Sequence, residues 1–250
     1  MSFSAFQTLR SYLPHGAAQQ LYKRVRPERA AEFEDWLTIP SSDTVHVSFV
    51  PLKETKSIFV HVPKVAGTSV GHLLYGSRTG DHMTLLDYRT ALPKAVFDGA
   101  FKFTFVRNPW DRLVSAYYYL QDDKRSVFDR QQAQESILNY PSFEAFVMEF
   151  MPRGDLNAFI HLKEQHLFLR LPRRGIGVDF VGRFERLNED FDLIAKRLGK
   201  DVALEHRNAS ALRKSDYRDI YTPQMIDVVA KAYARDIAYF GYDFDGASGV

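Results

Sequence analysis

The stretch FVHVPKVAGTSV, residues 59–70, decides how this sequence folds. Its first residues close a continuous apolar run, SIFVHV at 57–62, which has the length of a buried strand and stops at a proline. A glycine-bearing loop follows, and a helix-compatible segment comes after it. The order of strand, loop and helix indicates one unit of a parallel α/β sheet.

Four side chains of this stretch suit the binding of an anion. In a unit of strand, glycine-bearing loop and helix, loop amides and the helix N-terminus converge on one spot and together favour a phosphate-like group. Lys64 supplies a full positive charge, and Gly67 lets the backbone come close. Thr68 and Ser69 add hydroxyl donors. The stretch therefore predicts an anion-binding loop.

A second run, FKFTFV at 101–106, predicts a neighbouring strand of the same buried sheet. It is rich in aromatic and β-branched residues, and Arg107 follows it directly. Asn108 suits the N-cap and Pro109 the first position of a helix over 109–120. A cation is thus expected at this strand end as well.

The rest of the chain continues the alternation of strands and helices. VDFVGRFE at 178–185 predicts a third strand, and 189–199 and 223–241 each predict a helix that closes on a glycine. Residues 1–40 predict an N-terminal helical extension or lid. The expected fold is α/β, a three-layer P-loop-like fold with a central, mostly parallel sheet flanked by helices. We expect one domain, with its core over 57–245.

The order of charged residues differs from that of a metal-dependent nucleoside triphosphatase. In the regular loop G-x-x-x-x-G-K-[ST] the lysine follows the second glycine, whereas here Lys64 precedes Gly67. Such enzymes also need an acidic residue near a strand end to help hold Mg²⁺, and Arg107 stands there instead. Ser115 lies about two helical turns beyond Arg107 and can face the same ligand. Two separate anion sites are predicted.

Composition sets the outer limits of function. Lys and Arg total 33 against 31 acidic residues, so the net charge of +2 gives no general reason to expect nucleic acid as a partner. There are no cysteines, which excludes disulfides, thiolate metal sites and a cysteine nucleophile. No stretch approaches the ~20 apolar residues of a membrane span. The simplest expectation is a soluble cytoplasmic protein of open oligomeric state.

The motifs resemble those of sulfotransferases that use 3′-phosphoadenosine 5′-phosphosulfate (PAPS), in particular the carbohydrate-sulfotransferase-like family, sulfotransferase family 2. HVPKVAGTS resembles the family's 5′-phosphosulfate loop, and FVRNPWDRLVSAY resembles its 3′-phosphate segment. DHMTLLDYR, FVGRFERLNEDF and HRNAS continue the similarity. Within the loop, Val65 replaces the usual threonine and so removes one possible hydroxyl donor. The resemblance covers roughly residues 57–245.

The resemblance assigns three groups of ligand-binding residues. The first, which would hold the 5′-phosphosulfate, comprises Lys64, Ala66, Gly67, Thr68 and Ser69. The second, for the 3′-phosphate, comprises Arg107 and Ser115, and the third, beside the nucleoside, comprises Arg183 and Phe184. The expected reaction is sulfuryl transfer from PAPS to an acceptor hydroxyl, with a glycan or glycolipid as partner.

Catalysis of this transfer needs a charge for the leaving phosphate and a base for the acceptor proton. Lys64 is expected to supply the charge, without any metal. His82 is the candidate base, because the reference pKa of histidine is near neutral and the residue matches the family's histidine after the first helix. Asp81 is a candidate to orient the His82 ring.

Other interpretations of the same residues stay open. Ser115 can be a small residue that allows close packing, and His82 can be a capping or structural histidine. Arg183 and Phe184 can have simple core and rim roles, and His61 is interpreted as structural. At the level of function, the alternatives are an ATP-dependent P-loop-type kinase and a catalytically silent nucleotide-binding module.

Overall fold

The computed structural model describes residues 3–40, 47–76, 82–122, 125–172, 174–204 and 216–246. The strands in these ranges are β1 (Ser57–Val60), β2 (Phe101–Val106), β3 (Arg170–Leu171), β4 (Gly175–Ile176) and β5 (Phe180–Arg183). Residues 206–210, which carry the HRNAS motif, and Asp81 lie outside the described residues.

The described α-helices begin with three in the first forty residues. In chain order they are α1 (Phe3–Tyr12), α2 (His15–Val25), α3 (Pro27–Trp36), α4 (Val50–Thr55), α5 (Gly67–Tyr75), α6 (Leu85–Ala91), α7 (Lys94–Gly99), α8 (Pro109–Leu120), α9 (Val127–Glu135), α10 (Phe143–Ala145), α11 (His166–Leu169), α12 (Leu187–Arg197), α13 (Pro223–Ala232) and α14 (Ala234–Phe240). Helix α10 continues as a π-helical turn over Phe146–Phe150, and 3₁₀ turns cover Ile137–Asn139, Leu156–Ala158, Phe184–Arg186 and Tyr217–Ile220.

A parallel three-stranded sheet forms the centre of the fold, in the order β1-β2-β5. Strands β1 and β2 run parallel from the pair Ser57 and Phe101 to the pair Val60 and Thr104. Every residue of β1 is buried, as expected for a sheet covered on both faces. The Thr104 hydroxyl, itself buried, donates a 2.7 Å hydrogen bond to the Val60 carbonyl. The predicted α/β fold, with its central parallel sheet flanked by helices, is confirmed.

Strand β1 ends two residues earlier than its apolar run predicts. His61 follows Val60 and lies outside the strand. Its carbonyl oxygen lies 3.1 Å from Nδ1 of His82, so a histidine side chain and not a neighbouring strand is bonded to the backbone at this point. The apolar pattern therefore marks the strand but not the point where the chain leaves the sheet.

The segment predicted as one terminal helix over 223–241 is two helices, α13 and α14, which meet at Tyr233. Tyr233 is fully buried, and its hydroxyl donates a 2.7 Å hydrogen bond to the Leu162 carbonyl. Three residues on, buried Asp236 accepts hydrogen bonds from the backbone amides of Gln165 and His166. The hydrogen bonds of Tyr233 and Asp236 to residues 162–166 therefore fix the chain at the point where the helix breaks. The predicted C-terminal glycine is correct, since Gly241 has a φ of 61°.

Helix α8 begins as its sequence predicts. The Asn108 side chain accepts a 3.0 Å hydrogen bond from the Trp110 amide, and Pro109 takes the first helical position. Most of α8 is buried, and Trp110, Val114 and Leu120 contribute to one hydrophobic cluster. The helix therefore offers a rigid support for the side chains on its remaining face.

Contacts divide the chain into two compact units. The first comprises Met1–Val62, Ala66–Phe105 and Leu167–Leu204, and the second comprises Pro63–Val65, Val106–His166 and Glu205–Val250. The prediction of one catalytic domain over 57–245, with 1–40 as extension or lid, stays a prediction. No helix in the described ranges is both long and apolar enough to cross a membrane.

Candidate active site

Lys64, the predicted charge of the anion loop, belongs to the second unit. Its backbone has a φ of 71°, in the left-handed region that non-glycine residues rarely adopt. Its ammonium nitrogen Nζ lies 3.6 Å from the centre of the Tyr119 ring on α8, a short cation–π contact. Strained backbone of this kind persists only where the surrounding structure fixes it, and functional sites are where it concentrates.

The surroundings of Lys64 make its charge unfavourable. Burial, together with the positive charges of Arg107 and Arg125, lowers the pKa of Lys64 to about 7, while Asp129 acts in the opposite direction. Arg125 shares the aromatic partner, since its Cζ lies 4.0 Å from the centre of the Tyr119 ring. This concentration of cations is electrostatically suited to an anion.

Tyr119 is held in place by a polar chain. Its hydroxyl donates a 3.0 Å hydrogen bond to Oδ2 of Asp129, and the other carboxylate oxygen lies 2.8 Å from Nε2 of His161. Burial alone acts to raise the pKa of Asp129, but hydrogen bonds from His161, Ser126 and Tyr119 outweigh it and lower this pKa to about 2. Burial lowers the pKa of His161, so the ring is a neutral donor to an ionised carboxylate.

Arg107, which is predicted to bind the 3′-phosphate, is anchored within the second unit by hydrogen bonds to its side chain and to its backbone. Its side-chain Nε donates to Asp111 at 2.6 Å and its Nη1 donates to the Lys64 carbonyl at 3.1 Å. The buried side-chain amide of Gln165 forms hydrogen bonds with both backbone groups of Arg107. Its oxygen accepts from the N–H at 3.0 Å, and its nitrogen donates to the C=O at 2.8 Å. The backbone amide of Gln165 in turn donates to Asp236 at 2.7 Å. Arg107 thus connects the backbone of Lys64 to α8.

Ser115 is half-buried on α8. Asp111, Ser115 and Tyr119 are spaced by four residues and share one face of the helix. Asp111 binds Arg107 at one end of this face, and Tyr119 contacts Lys64 at the other. The structure therefore brings Lys64, Arg107 and Ser115, three of the residues predicted from sequence, to one side of α8.

The helix that follows the loop, α5, belongs to the first unit. Its N-cap Ala66 has a φ of 65° and makes no side-chain capping bond. Thr68 is exposed and Ser69 half-buried in the first turn, where backbone N–H groups lack intrahelical acceptors. This geometry is compatible with the predicted binding of an anion at the helix start.

Gly67 has a packing reason that the sequence does not reveal. A Cβ atom at this position would lie 1.9 Å from Cδ2 of the His61 ring. The sequence analysis explained Gly67 by the close approach of the backbone to a ligand. The structure shows that the backbone at this position also lies close to the His61 ring. His61, interpreted as structural, has this packing role.

His82, the candidate base, also lies in the first unit. Its ring centre is 4.3 Å from that of His61, and its Nδ1 lies 3.1 Å from the His61 carbonyl oxygen. Because a carbonyl only accepts, Nδ1 donates and the lone pair resides on Nε2. His82 is half-buried and has a φ of 62°. This is the tautomer that a base acting through Nε2 requires, and the role of His82 as the base stays a prediction.

Arg183 and Phe184 follow the predicted pattern of a strand end. Arg183 closes β5, its backbone amide donates to Asp190 at 2.7 Å, and Phe184 begins the 3₁₀ turn that follows. Both side chains are half-buried in the first unit. Their contact with a nucleoside stays a prediction.

The sequence analysis did not include Tyr119, Arg125, Asp129 or His161 among the candidate site residues. The i, i+4, i+8 spacing from Asp111 through Ser115 to Tyr119 was the available signal. No local pattern marks Asp129 or His161, because they meet Tyr119 only in the folded chain.

A group with metal-ligand atoms, Glu164, His166 and Asp236, lies elsewhere in the second unit. Nδ1 of His166 is 2.9 Å from Asp236 and 3.4 Å from Glu164. Asp236 already accepts backbone hydrogen bonds from Gln165 and His166. This group is therefore explained as a hydrogen-bonded anchor, and the expected absence of a metal from the reaction stays a prediction.

Comparison with known proteins identifies the family. A model of the sulfotransferase family matches residues 48–243, more than three quarters of the chain. An uncharacterised protein of Archaeoglobus fulgidus is 28% identical over 138 residues, which cover 53% of this chain and 94% of that protein. The chain therefore belongs to the sulfotransferase family, and its chemistry is sulfuryl transfer.

Proposed function

We propose that the protein transfers the sulfuryl group of PAPS to a hydroxyl of a carbohydrate. The observation that carries the donor assignment is the cationic site on α8, where Lys64 and Arg107 adjoin and the pKa of Lys64 falls to about 7. Repulsion among cations makes an anionic ligand favourable, and PAPS supplies a phosphosulfate and a 3′-phosphate.

Each predicted residue has a proposed task. Lys64 stabilises the charge that develops on the leaving phosphate, which is the largest demand of sulfuryl transfer. Backbone and hydroxyl donors of Ala66, Gly67, Thr68 and Ser69 hold the 5′ end of the nucleotide. Arg107 and Ser115 hold the 3′-phosphate, and Arg183 and Phe184 contact the nucleoside.

His82 accepts the proton of the attacking hydroxyl at Nε2. Its hydrogen bond to the His61 carbonyl fixes the required tautomer. Nothing in this scheme uses a metal, because side-chain cations neutralise the donor. A glycan or glycolipid as acceptor, and a cytoplasmic location, stay predictions.

The donor assignment is tested by calorimetry with two nucleotides. We expect adenosine 3′,5′-bisphosphate to bind more than about 10-fold tighter than 5′-AMP, because a charge-assisted phosphate contact contributes about 1.5–3 kcal/mol. Ser115→Ala removes only a hydroxyl and should reduce this ratio. Equal affinity for the two nucleotides in the unmodified protein contradicts the proposal.

The reaction is tested with labelled donor and a panel of glycans, lipids and small alcohols. Loss of a general base costs about 10²- to 10⁴-fold in rate, so His82→Ala should lower kcat by that range while nucleotide affinity stays nearly constant. His72→Ala is the matched control, since His72 is an exposed histidine of α5. Near-normal turnover of His82→Ala would assign the base elsewhere.

A further inference from the structure

The aromatic ring of Tyr119 lies against the charge of Lys64 within the second unit. The centre of the ring is 3.6 Å from the Lys64 Nζ atom, and Tyr119 lies in the last turn of α8. A cation over the face of a tyrosine ring is attracted by the electron density of that face, and the attraction grows when water is excluded. The ring therefore contacts the atom of Lys64 that carries its charge.

The influences on the charge of Lys64 act in opposite directions. Burial disfavours its ammonium form, as do the charges of Arg107 and Arg125. The carboxylate of Asp129 favours this form. Burial, and to a smaller extent the charge of Lys64, act to lower the pKa of the neighbouring His161. With a pKa of about 7, Lys64 is close to losing the charge that its proposed task requires, so each contact that favours the ammonium form matters.

Asp129 acts on Tyr119 as well as on Lys64. Its Oδ2 atom accepts a 3.0 Å hydrogen bond from the Tyr119 hydroxyl, and its Oδ1 atom lies 2.8 Å from Nε2 of His161. Hydrogen bonds in a chain polarise one another, so a phenol that donates to a carboxylate has a more electron-rich ring. Asp129 therefore both orients the ring and strengthens its attraction for a cation.

The hydrogen-bonded chain that starts at Tyr119 returns to the helix that carries it. Buried Arg112 of α8 donates a 3.2 Å hydrogen bond to the His161 carbonyl. Helix α9, which carries the carboxylate, is bonded to the same segment, because the Gln132 side chain accepts a 3.0 Å hydrogen bond from the Ile160 amide. Helix α8, helix α9 and residues 160–161 are thus bonded to one another in pairs, which fixes the Tyr119 ring in one orientation.

We propose that Tyr119 is a positioning residue for sulfuryl transfer, whose ring holds the Lys64 ammonium at the donor site while its hydrogen bond to Asp129 fixes the ring. The inference rests on the proposed function, in which Lys64 stabilises the leaving phosphate. Tyr119 acts through Lys64, because a misplaced or neutral amine does not offset the charge that develops as the bond between sulfur and the bridging phosphate oxygen breaks.

Two substitutions of Tyr119 separate the contribution of the ring from that of the hydroxyl. Tyr119→Phe keeps the aromatic face and removes the hydrogen bond to Asp129, whereas Tyr119→Leu removes both. Tyr118→Leu is the matched control, because Tyr118 is also half-buried on α8, packs against the same hydrophobic cluster and lies on another face of the helix. Thermal unfolding of each variant establishes that it is folded.

NMR of the full chain with isotope-labelled lysine measures the position and the ionisation of Lys64. Its resonances are assigned by their absence from Lys64→Met. Because ring currents shift protons above an aromatic face upfield, the Lys64 ε-protons should lie upfield in the unmodified protein and in Tyr119→Phe, but not in Tyr119→Leu. Titration of the Cε resonance should give a midpoint about one pH unit lower in Tyr119→Leu, since the cation–π contact stabilises the charged form.

Transfer kinetics test whether this contact serves the reaction. With the donor at saturation, Tyr119→Leu should lower kcat by about 10- to 100-fold, because small misplacements of a group that acts on the reacting atoms have effects of this size. The acceptor KM should change little. Tyr119→Phe should lower kcat by less than Tyr119→Leu does, and Tyr118→Leu should match the unmodified protein in kinetics and in NMR.

Three results overturn the positioning role. They are a kcat of Tyr119→Leu equal to that of the unmodified protein, Lys64 ε-protons without an upfield shift in the unmodified protein, and equal effects of Tyr119→Leu and Tyr118→Leu. Each of them leaves the proposed function standing if bisphosphate binding and transfer are measured. Absence of bisphosphate binding by the unmodified protein contradicts the proposed function, whereas the NMR titration still decides whether Tyr119 holds the charge of Lys64.

Discussion

The ionisation of Lys64 gives the sharpest prediction about the donor site. In the unliganded protein its pKa is about 7, lowered by burial and by the charges of Arg107 and Arg125. About half of the molecules should therefore carry a neutral amine at pH 7. An anionic ligand favours the ammonium form and should raise this pKa toward the ordinary value of 10.5. Binding of the bisphosphate should consequently be coupled to proton uptake.

The size of the effect follows from the two pKa values. Between the unliganded pKa and the liganded one, affinity falls about 10-fold for each pH unit. The useful window is pH 7.5 to 9.5, because the second ionisation of a phosphate, with a pKa of about 6, is complete there. Across this window the dissociation constant should increase by about 70-fold, and binding at pH 8 should take up about 0.9 proton.

Calorimetry in two buffers of different ionisation enthalpy measures the proton uptake directly. Lys64→Met keeps a similar length without the charge, so it should abolish the pH dependence and bind weakly at every pH. A flat dissociation constant between pH 7.5 and 9.5 in the unmodified protein, with no proton uptake, would refute the electrostatic reasoning.

Stability should depend on pH with the opposite sign. The unfolded chain keeps a Lys64 pKa near the ordinary value of 10.5, so between about pH 7 and pH 10 it binds more protons at this residue than the folded chain does. The unliganded protein should therefore gain stability relative to Lys64→Met as pH rises through this range. Thermal unfolding of both proteins at each pH measures the difference.

Three further predictions concern packing, positioning and metal. Gly67→Ala should destabilise the protein by about 1–3 kcal/mol, because the new Cβ meets the His61 ring; His61→Ala in the same chain should recover much of the loss in thermal unfolding. Gln165→Leu should weaken bisphosphate binding relative to 5′-AMP, since both hydrogen bonds to the Arg107 backbone are lost; calorimetry with the two nucleotides checks this, and an unchanged ratio contradicts the positioning role. Sulfuryl transfer should persist in excess chelator, whereas strict dependence on Mg²⁺ would favour kinase-like chemistry.

The parts of the fold that the sequence predicts are those set by neighbouring residues. The apolar runs that end at Val62 and Val106 predict buried strands, and the pair Asn108 and Pro109 predicts the start of α8 to the residue. Each is a local signal with a local cause: burial on both faces, or a capped first turn. The helix break at Tyr233 is different, because its anchors lie about seventy residues earlier in the chain.

The same distinction between local signals and contacts of distant segments applies to the candidate site. Lys64 and Arg107 are recognisable because a cation in the loop that leads from a strand to a helix has a known electrostatic use in binding anions. The cation–π contact with Tyr119 and the support from Asp129 arise only when distant segments meet. Charge and motif therefore predict which side chains are candidates for binding an anion, whereas the lowered pKa of Lys64 needs the folded environment.

The interaction between Arg107 and Asp111 decides how mutations of the donor site should be interpreted. Both side chains are buried, and the guanidinium also donates to the Lys64 carbonyl. Removal of one partner of a buried ion pair costs about 3–5 kcal/mol, a large part of the 5–15 kcal/mol that stabilises a typical domain. Weak binding by Arg107→Ala would therefore combine a lost phosphate contact with a displaced Lys64 and an uncompensated Asp111. The ratio of bisphosphate to 5′-AMP affinity in Ser115→Ala isolates the phosphate contact, because that change leaves the ion pair and the loop in place.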